Sequence, residues 1–146
     1  MPRRFTLAEA QSLIPRVETL LRQAIGLKGE YDQAGGDLRR FQQRLTMSGG
    51  VIVDRAQALD RRRRADAAAE QLKAALSAVQ EIGCLVKDLD IGLIDFPTTF
   101  RGIEVYLCWR LGERSIEFWH GVDEGFRGRK PIDRDFLEHH EGDPAD

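Results

Sequence analysis

Five ionisable side chains in the second half of the chain could together bind a metal ion or move a proton. Asp88, Asp90 and Asp95 lie close together in the sequence, and His120 and Glu124 follow them. Carboxylate oxygens and an imidazole nitrogen are suitable ligands for a divalent metal, and the same groups can act as general acid and base. We therefore take Asp88, Asp90, Asp95, His120 and Glu124 as a candidate metal or ligand site. The alternative is structural, because aspartates cap turns and a histidine at a strand end commonly hydrogen-bonds to the backbone.

A glycine-rich and arginine-rich segment, residues 125–131, has a composition suited to binding an anion. It holds two glycines and three cations in seven residues, so backbone N–H groups and arginine side chains could surround a negative charge. We take Arg129, with Arg110 on the preceding strand, as candidate anion-binding residues. Arg129 could instead pair with the acidic turn. No serine or threonine follows the lysine, so the segment is not a P-loop.

The chain has two cysteines, Cys84 and Cys108. A domain of 146 residues buries enough surface to fold without a disulfide, so we expect free thiols. Two cysteines without a secretory leader favour a cytoplasmic location. A catalytic role for Cys108 is disfavoured, because no second histidine lies where a thiol protease would need one.

The strand pattern determines where His120 would lie. Residues 103–111 alternate between apolar and polar side chains, and the next two residues favour a tight hairpin turn because glycine comes first. This turn would place Val105 opposite His120 and Tyr106 opposite Trp119. With a short strand at residues 93–96, the pattern predicts a three-stranded antiparallel meander within residues 91–132.

The first ninety residues have helical spacing. Thr6 and Glu9 form a predicted capping box, and apolar residues then recur at steps of three and four to Leu45. Glycines near residue 50 predict a turn, with Asp54 as the cap of a second, alanine-rich helix that extends to Val86. The predicted fold class is α+β: a long antiparallel, coiled-coil-like helical hairpin over residues 1–90, packed against the meander in one domain.

Charge and composition restrict the remaining choices. The formal net charge is −2, with +3 on residues 1–90 and −5 on residues 91–146. Residues 133–146 are acidic and aperiodic, so we expect a disordered tail. No run of apolar residues is long enough to span a membrane.

Four consecutive arginines, Arg61 to Arg64, suggest contact with nucleic acid, but their position argues against it. Successive helix residues point about 100° apart and cannot form one patch, and acidic residues lie within helical reach of them. A solvated, salt-bridged face is the simpler interpretation, and nucleic-acid binding is disfavoured.

Two functional hypotheses follow. The first is a cytoplasmic, non-enzymatic scaffold that forms a homodimer through its alanine-rich helix seams or through a face carrying Tyr106 and Trp119. The second is a metal-binding or ligand-binding protein, with hydrolase activity as one form, whose site comprises the acidic turn at residues 88–95 and His120, with a divalent metal as cofactor.

Several segments resemble an uncharacterised bacterial family, catalogued as a domain of unknown function. They are Phe5-Thr6-Leu7 with Glu9-Ala10, residues 87–97 (KDLDIGLIDFP), residues 102–113 (GIEVYLCWRLGE), and Trp119-His120 followed by residues 125–129 (GFRGR). The resemblance covers residues 5–132 and implies one self-contained unit. It implies no activity, cofactor or partner.

Overall fold

The computed structural model of the protein describes residues 3–49 and 55–144. Two long helices come first, α1 (Leu7–Met47) and α2 (Arg55–Gln80), and they pack together as a pair. The predicted capping box is present, because the Thr6 hydroxyl accepts from the Glu9 N–H at 3.1 Å and the Glu9 carboxylate accepts from the Thr6 N–H at 3.0 Å. The predicted cap at Asp54 lies outside the described residues. No helix within the described ranges is both apolar enough and long enough to cross a bilayer.

The second helix ends earlier than its apolar spacing predicts. α2 stops at Gln80, and residues that we expected to be helical form strand β1 (Leu85–Asp88). Gly83 adopts a φ of +108°, a conformation that ends a helix readily in glycine, and its neighbours Ile82 and Cys84 are buried. Val86 fits helical spacing equally well, so periodicity alone could not place this boundary.

Within the described residues the sheet has six strands, so the prediction of three was too small. The remaining strands are β2 (Leu93–Phe100), β3 (Ile103–Arg110), β4 (Phe118–Gly121), β5 (Lys130–Pro131) and β6 (His140–Glu141). The hydrogen-bonded order is β1-β2-β3-β4-β5, all antiparallel, and β6 also pairs with β2. The extra strands are short or lie in segments that we predicted to be helix, loop or tail.

The predicted register between β3 and β4 was wrong by one residue. The pairs are Tyr106 with His120 and Leu107 with Trp119, because a seven-residue loop joins the strands instead of a two-residue turn. The Trp109 indole N–H donates to the Glu113 carbonyl oxygen at 3.0 Å within this loop. A slip of one residue moves every side chain of β4 to the other face of the sheet. Trp119 therefore lies on the face that packs on the helices, and His120 lies on the opposite face.

The hydrophobic core lies between the sheet and the first half of α1. Buried side chains at helical spacing meet the strand residues Ile94, Phe96, Leu107 and Trp109. The helical contributors to this core are Ala10, Ile14, Val17 and Leu21 of α1 and Val79 of α2. This contact with large aromatic and branched residues fixes the strands that carry the site.

The expected disordered tail is ordered over its described residues. Asp133 caps a short helix, α3 (Arg134–His139), through a hydrogen bond from the Phe136 N–H at 2.9 Å. Phe136 is fully buried and stacks on Phe100 and Trp119 at 5.0 and 4.9 Å. One turn of helix with a single buried aromatic is too short to give a periodic signal, and its acidic composition suggested disorder.

The distal part of the helical pair differs from the rest of the chain. We call residues 29–47 and 55–75 the arm, and the strands with residues 7–28 the sheet region. Phe41 and Ala68 are the buried hydrophobic side chains among the described residues of the arm, and the core described above includes neither. The alanine-rich seam of α2 therefore packs little area, although the two helices run side by side.

Candidate functional site

Three ionisable side chains meet on the face of the sheet opposite the helices. Asp95 lies on β2 directly opposite Cys108 on β3, and His120 lies on β4 opposite Tyr106. Asp95 is placed on this face because its neighbours Ile94 and Phe96 point into the core and side chains alternate along a strand. Asp95 and Cys108 are fully buried, and His120 is 2% exposed. We call these three residues the cluster.

The cluster has the geometry of a set of metal ligands. His120 Nε2 lies 3.0 Å from Asp95 Oδ1, and one donor atom from each of the three residues lies within 4.8 Å of the other two. The second carboxylate oxygen, Asp95 Oδ2, is buried and has no hydrogen-bond partner among the residues that the structure describes. A buried oxygen without a partner is costly, which indicates that a further group belongs beside it.

The backbone orients the imidazole. His120 Nδ1 lies 2.8 Å from the Gly121 carbonyl oxygen, which can only accept, so Nδ1 carries a proton. In the neutral ring Nε2 then presents its lone pair to the interior of the cluster. A hydrogen bond from the second ring nitrogen to a carbonyl is the usual arrangement around a metal-bound histidine. Without a metal, the 3.0 Å contact between His120 Nε2 and Asp95 Oδ1 is a hydrogen bond that needs one proton, carried by the ring or by the carboxyl group.

The two cysteines are both protonated at neutral pH. Burial, together with the nearby Asp95 carboxylate, raises the pKa of the Cys108 thiol to about 12, and the charge of Arg129 opposes the rise. Burial also raises the pKa of Cys84, to about 11. A thiol is a poor nucleophile compared with a thiolate, so Cys108 does not have the environment of a catalytic cysteine.

An arginine–glutamate pair lies next to the cluster. Arg129 Nη2 contacts both Glu113 carboxylate oxygens, at 2.7 and 2.8 Å, and the guanidinium stacks on Phe118 at 4.1 Å and Phe126 at 4.8 Å. Phe118 is the strand neighbour of Cys108. Arg129 Nε is buried and has no hydrogen-bond partner within residues 3–49 and 55–144. Of the two arginines expected to bind an anion, Arg129 therefore already has a carboxylate partner, and Arg110 is exposed with its guanidinium 5.6 Å from the Phe126 ring.

Tyr106 forms one wall of the cluster. Its ring lies 5.6 Å from the His120 ring, edge to face, and Lys87 Nζ lies 4.8 Å from the centroid of the Tyr106 ring. Burial raises the pKa of Tyr106, and the charges of Glu104 and Asp95 add to the effect. The phenol therefore stays neutral beside the cluster.

The structure brings together two of the five acidic and histidine residues expected at a site. Asp95 and His120 meet, but Asp88 caps the turn by accepting from the N–H of Asp90 at 3.0 Å, and Asp90 pairs with Lys28 at 2.9 Å. Glu124 is a third structural residue. It accepts from the Gly121 N–H at 2.8 Å and from the Lys130 ammonium, and the bond from Lys130 is the main reason that its pKa is lowered.

Sequence reasoning did not include Cys108 in the site. The erroneous register put His120 on the face of the sheet opposite to that of Cys108. A usable signal was nevertheless present: Asp95, Cys108 and His120 each interrupt a short run of large apolar residues that reads as a buried strand. Burying an ionisable side chain costs free energy unless it has a polar partner, so three such side chains in buried strands are expected to contact one another.

Comparison with known proteins gives a family and nothing more specific. No curated protein and no solved structure matches the chain. The family model described as an uncharacterized conserved protein, DUF2203, matches residues 3–132, which include all three strands that carry the cluster. The chain therefore belongs to the DUF2203 family of uncharacterized conserved proteins.

Proposed function

We propose that the protein binds a zinc ion through Asp95, Cys108 and His120. The observation that carries this proposal is the convergence of one oxygen, one sulfur and one nitrogen donor from three adjacent strands around the unpartnered Asp95 Oδ2. Zinc accepts all three donor types, whereas calcium and magnesium take oxygen ligands. Neither Asp88, Asp90 nor Glu124 is needed as a ligand.

The spacing supports the proposal. Zinc lies about 2.0–2.3 Å from its ligands, so in a tetrahedral site the donor atoms are separated by roughly 3.3–3.8 Å. The three donor atoms of the cluster lie between 3.0 Å and 4.8 Å apart, which a small side-chain rotation adjusts. The loss of the Cys108 proton on binding gives a ligand set of charge −2, which neutralises the ion in a buried place.

A zinc ion here would join β2, β3 and β4. Three protein ligands leave one coordination position for water or a substrate atom, which is the arrangement of catalytic zinc sites and the basis of the hydrolase hypothesis. The complete burial of Asp95 and Cys108 favours a stabilising ion over one that exchanges substrates.

Elemental analysis and thermal denaturation test the proposal together. Protein purified without chelator should contain about one zinc per chain. The chelator-treated protein should gain roughly 5–10 °C in Tm at a zinc concentration of about 100 Kd, because binding at that level adds about 2.7 kcal/mol. The Cys108→Ala variant should lose both effects, and Cys84→Ala, which removes the other buried thiol, should keep them. Absence of zinc and of any Tm shift in the unmodified chain would falsify the proposal.

A second candidate function, self-association through the arm, has its own observation. Tyr31, Ala69, Leu72 and Leu76 line a mainly apolar groove of about 490 Å³ between the helices, and Tyr31 is 42% exposed. The occupant that we propose is a second copy of the chain, because the alanine-rich seam of α2 allows close approach of another helix. The Tyr106 and Trp119 face is not used, because these side chains lie on opposite faces of the sheet.

Light scattering with a matched pair of variants tests self-association. The chain should have the mass of a dimer at tens of micromolar, and Leu72→Gln should shift it toward the monomer. Leu137→Gln, which changes an exposed leucine far from the groove in sequence, should leave the mass unchanged. A monomeric mass for the unmodified chain contradicts this candidate.

A further inference from the structure

The end of the arm is rich in arginine, although the net charge of the whole chain is close to zero. Residues 37–66 contain eight arginines, no lysine and four aspartates, a net charge of +4, whereas the rest of the chain carries −6. Electrostatic attraction of a polyanion depends on such a local field more than on the charge of the whole molecule. The near-neutral total therefore does not argue against a basic binding surface.

The helical pair brings together arginines that are distant in sequence. α1 supplies Arg39, Arg40 and Arg44, and α2 supplies Arg55 and the run of residues 61–64. Four consecutive arginines cannot form one patch on a single helix, but a second helix beside them can add arginines to the same surface. In the pair, Arg40 of α1 lines one groove with Arg61 and Arg64, and Arg44 of α1 lines another with Arg61.

Most of these arginines are available for a partner. Arg61 pairs with Asp37, and Arg64 pairs with Asp60 at 3.0 Å. The remaining six are exposed and form no ion pair within the described part of the chain: Arg39, Arg40, Arg44, Arg55, Arg62 and Arg63.

Grooves between the two helices of the arm are lined by arginines that could contact phosphate groups. Arg40, Arg61 and Arg64 line a polar groove of about 460 Å³ between the helices. Arg61 also lines the adjoining groove of about 380 Å³, together with Arg44 and Phe41, and its guanidinium stacks on the Phe41 ring at 4.8 Å. The two grooves share Arg61 as a lining residue.

We propose that the end of the arm binds single-stranded nucleic acid through its phosphodiester backbone. Arginine, the only cation present, binds phosphate through two parallel hydrogen bonds and stacks on bases. Cations on several sides of a narrow two-helix rod suit a flexible strand that can follow the groove and bend around the rod. A flat bilayer would contact one side only. This inference does not depend on the zinc site.

Fluorescence anisotropy with a labelled 20-nucleotide oligouridylate measures this binding on the full chain. Contacts from six arginines should give a slope of log K against log salt of about −4, because each phosphate neutralised on a single strand contributes about −0.7. The same titration with oligothymidylate separates RNA from DNA, and binding of both supports recognition of the shared backbone.

Two triple variants with the same change in net charge distinguish binding by this surface from a general effect of net charge. The triple variant Arg40→Glu, Arg44→Glu, Arg62→Glu should weaken binding at least tenfold and reduce the slope. The control Arg16→Glu, Arg114→Glu, Arg127→Glu changes three exposed arginines outside the arm end and should retain most of the affinity. If the arm variant does not fold by circular dichroism, the corresponding glutamine triple replaces it.

Three results would overturn the proposal. These are no salt-dependent binding by the unmodified chain, equal loss of affinity in the two triples, or retention on phosphatidylserine vesicles without any binding to either oligonucleotide. The last result would assign the arm to a membrane surface.

Discussion

The sheet region and the arm share the long helix α1, but their ionisable side chains lie in opposite environments. In the sheet region Asp95, Cys108 and His120 are enclosed by strands and aromatic rings, and one carboxylate oxygen of Asp95 has no hydrogen-bond partner in the described part of the chain. In the arm every arginine except the half-buried Arg61 is exposed, and the described part of the chain provides two of the arginines with ion pairs. Enclosed groups have geometrically fixed partners and are screened little by salt, whereas exposed charges act through their local density, which salt screens.

The difference follows from what each region buries. α1 presents Ile14, Val17 and Leu21 to a sheet rich in aromatic residues, and this packing excludes water from the strands. In the arm the helix that faces α1 presents mostly alanine, so little water is excluded and charge remains solvated. The region with the dense core can therefore hold a metal site, and the region without one can hold a surface for polyanions.

The largest effect on the free energy of unfolding should come from Phe136, the residue of α3 that packs into the core. Phe136→Ala removes a fully buried ring stacked on Phe100 and Trp119, so it should lower the free energy of unfolding by about 3–5 kcal/mol. Leu137→Ala, at the adjacent position with a 48% exposed side chain, should change it by less than about 0.5 kcal/mol. Urea denaturation of both variants measures the contrast. Equal effects would mean that the segment does not pack on the core.

Replacement of a glycine by alanine should lower the free energy of unfolding in the sheet region and raise it in the arm. Gly92 has a φ of +68°, and a Cβ there would lie 2.5 Å from Leu111 Cβ, so Gly92→Ala should destabilise by more than about 1–2 kcal/mol. Gly29 lies within α1 in the arm with no atom near the added Cβ, so Gly29→Ala should stabilise by about 1 kcal/mol. Thermal denaturation checks both. A stabilising Gly92→Ala would contradict the described turn.

The smallest effect concerns the reactivity of an enclosed thiol. Because the pKa of Cys84 is raised to about 11, its thiolate is about 0.1% of the population at pH 8 and increases only as the pH rises toward 11. In a Cys108→Ala background, Cys84 should resist alkylation at pH 8 until the chain is unfolded. A cysteine introduced at the exposed arm position Gln43 should react at once in the folded protein. Equally fast labelling at both positions would mean that the sheet region does not enclose Cys84.

Local signals in the sequence predicted the parts of the fold that local interactions determine. The capping box of Thr6 and Glu9, the long helix behind it and the alternation in β3 depend on neighbours within four residues. The register of β4 depends on the length of a loop that no short motif specifies. A two-residue turn and the observed seven-residue loop fit the residues after Arg110 equally well by pattern.

The site was predictable in part for the same reason. Asp95 and His120 could be selected as ionisable residues in otherwise apolar strands, and the structure brings them together. Cys108 was missed because only the correct register places it opposite Asp95 and on the same face as His120. The order of residues 133–144 was missed because it depends on one aromatic contact, Phe136 with Phe100 and Trp119, between segments far apart in sequence.

The central claim is that the cluster is a metal site with a thiolate ligand, and titration with cobalt(II) tests it most directly. Cobalt replaces zinc in sites with mixed nitrogen, oxygen and sulfur donors, and it gives a thiolate-to-metal charge-transfer absorption only when a cysteine is bound. We expect this absorption to saturate at one equivalent in the unmodified chain and in Cys84→Ala, and to be absent in Cys108→Ala. A spectrum of hexaaqua cobalt in all three proteins, or an unchanged charge-transfer band in Cys108→Ala, would contradict the account.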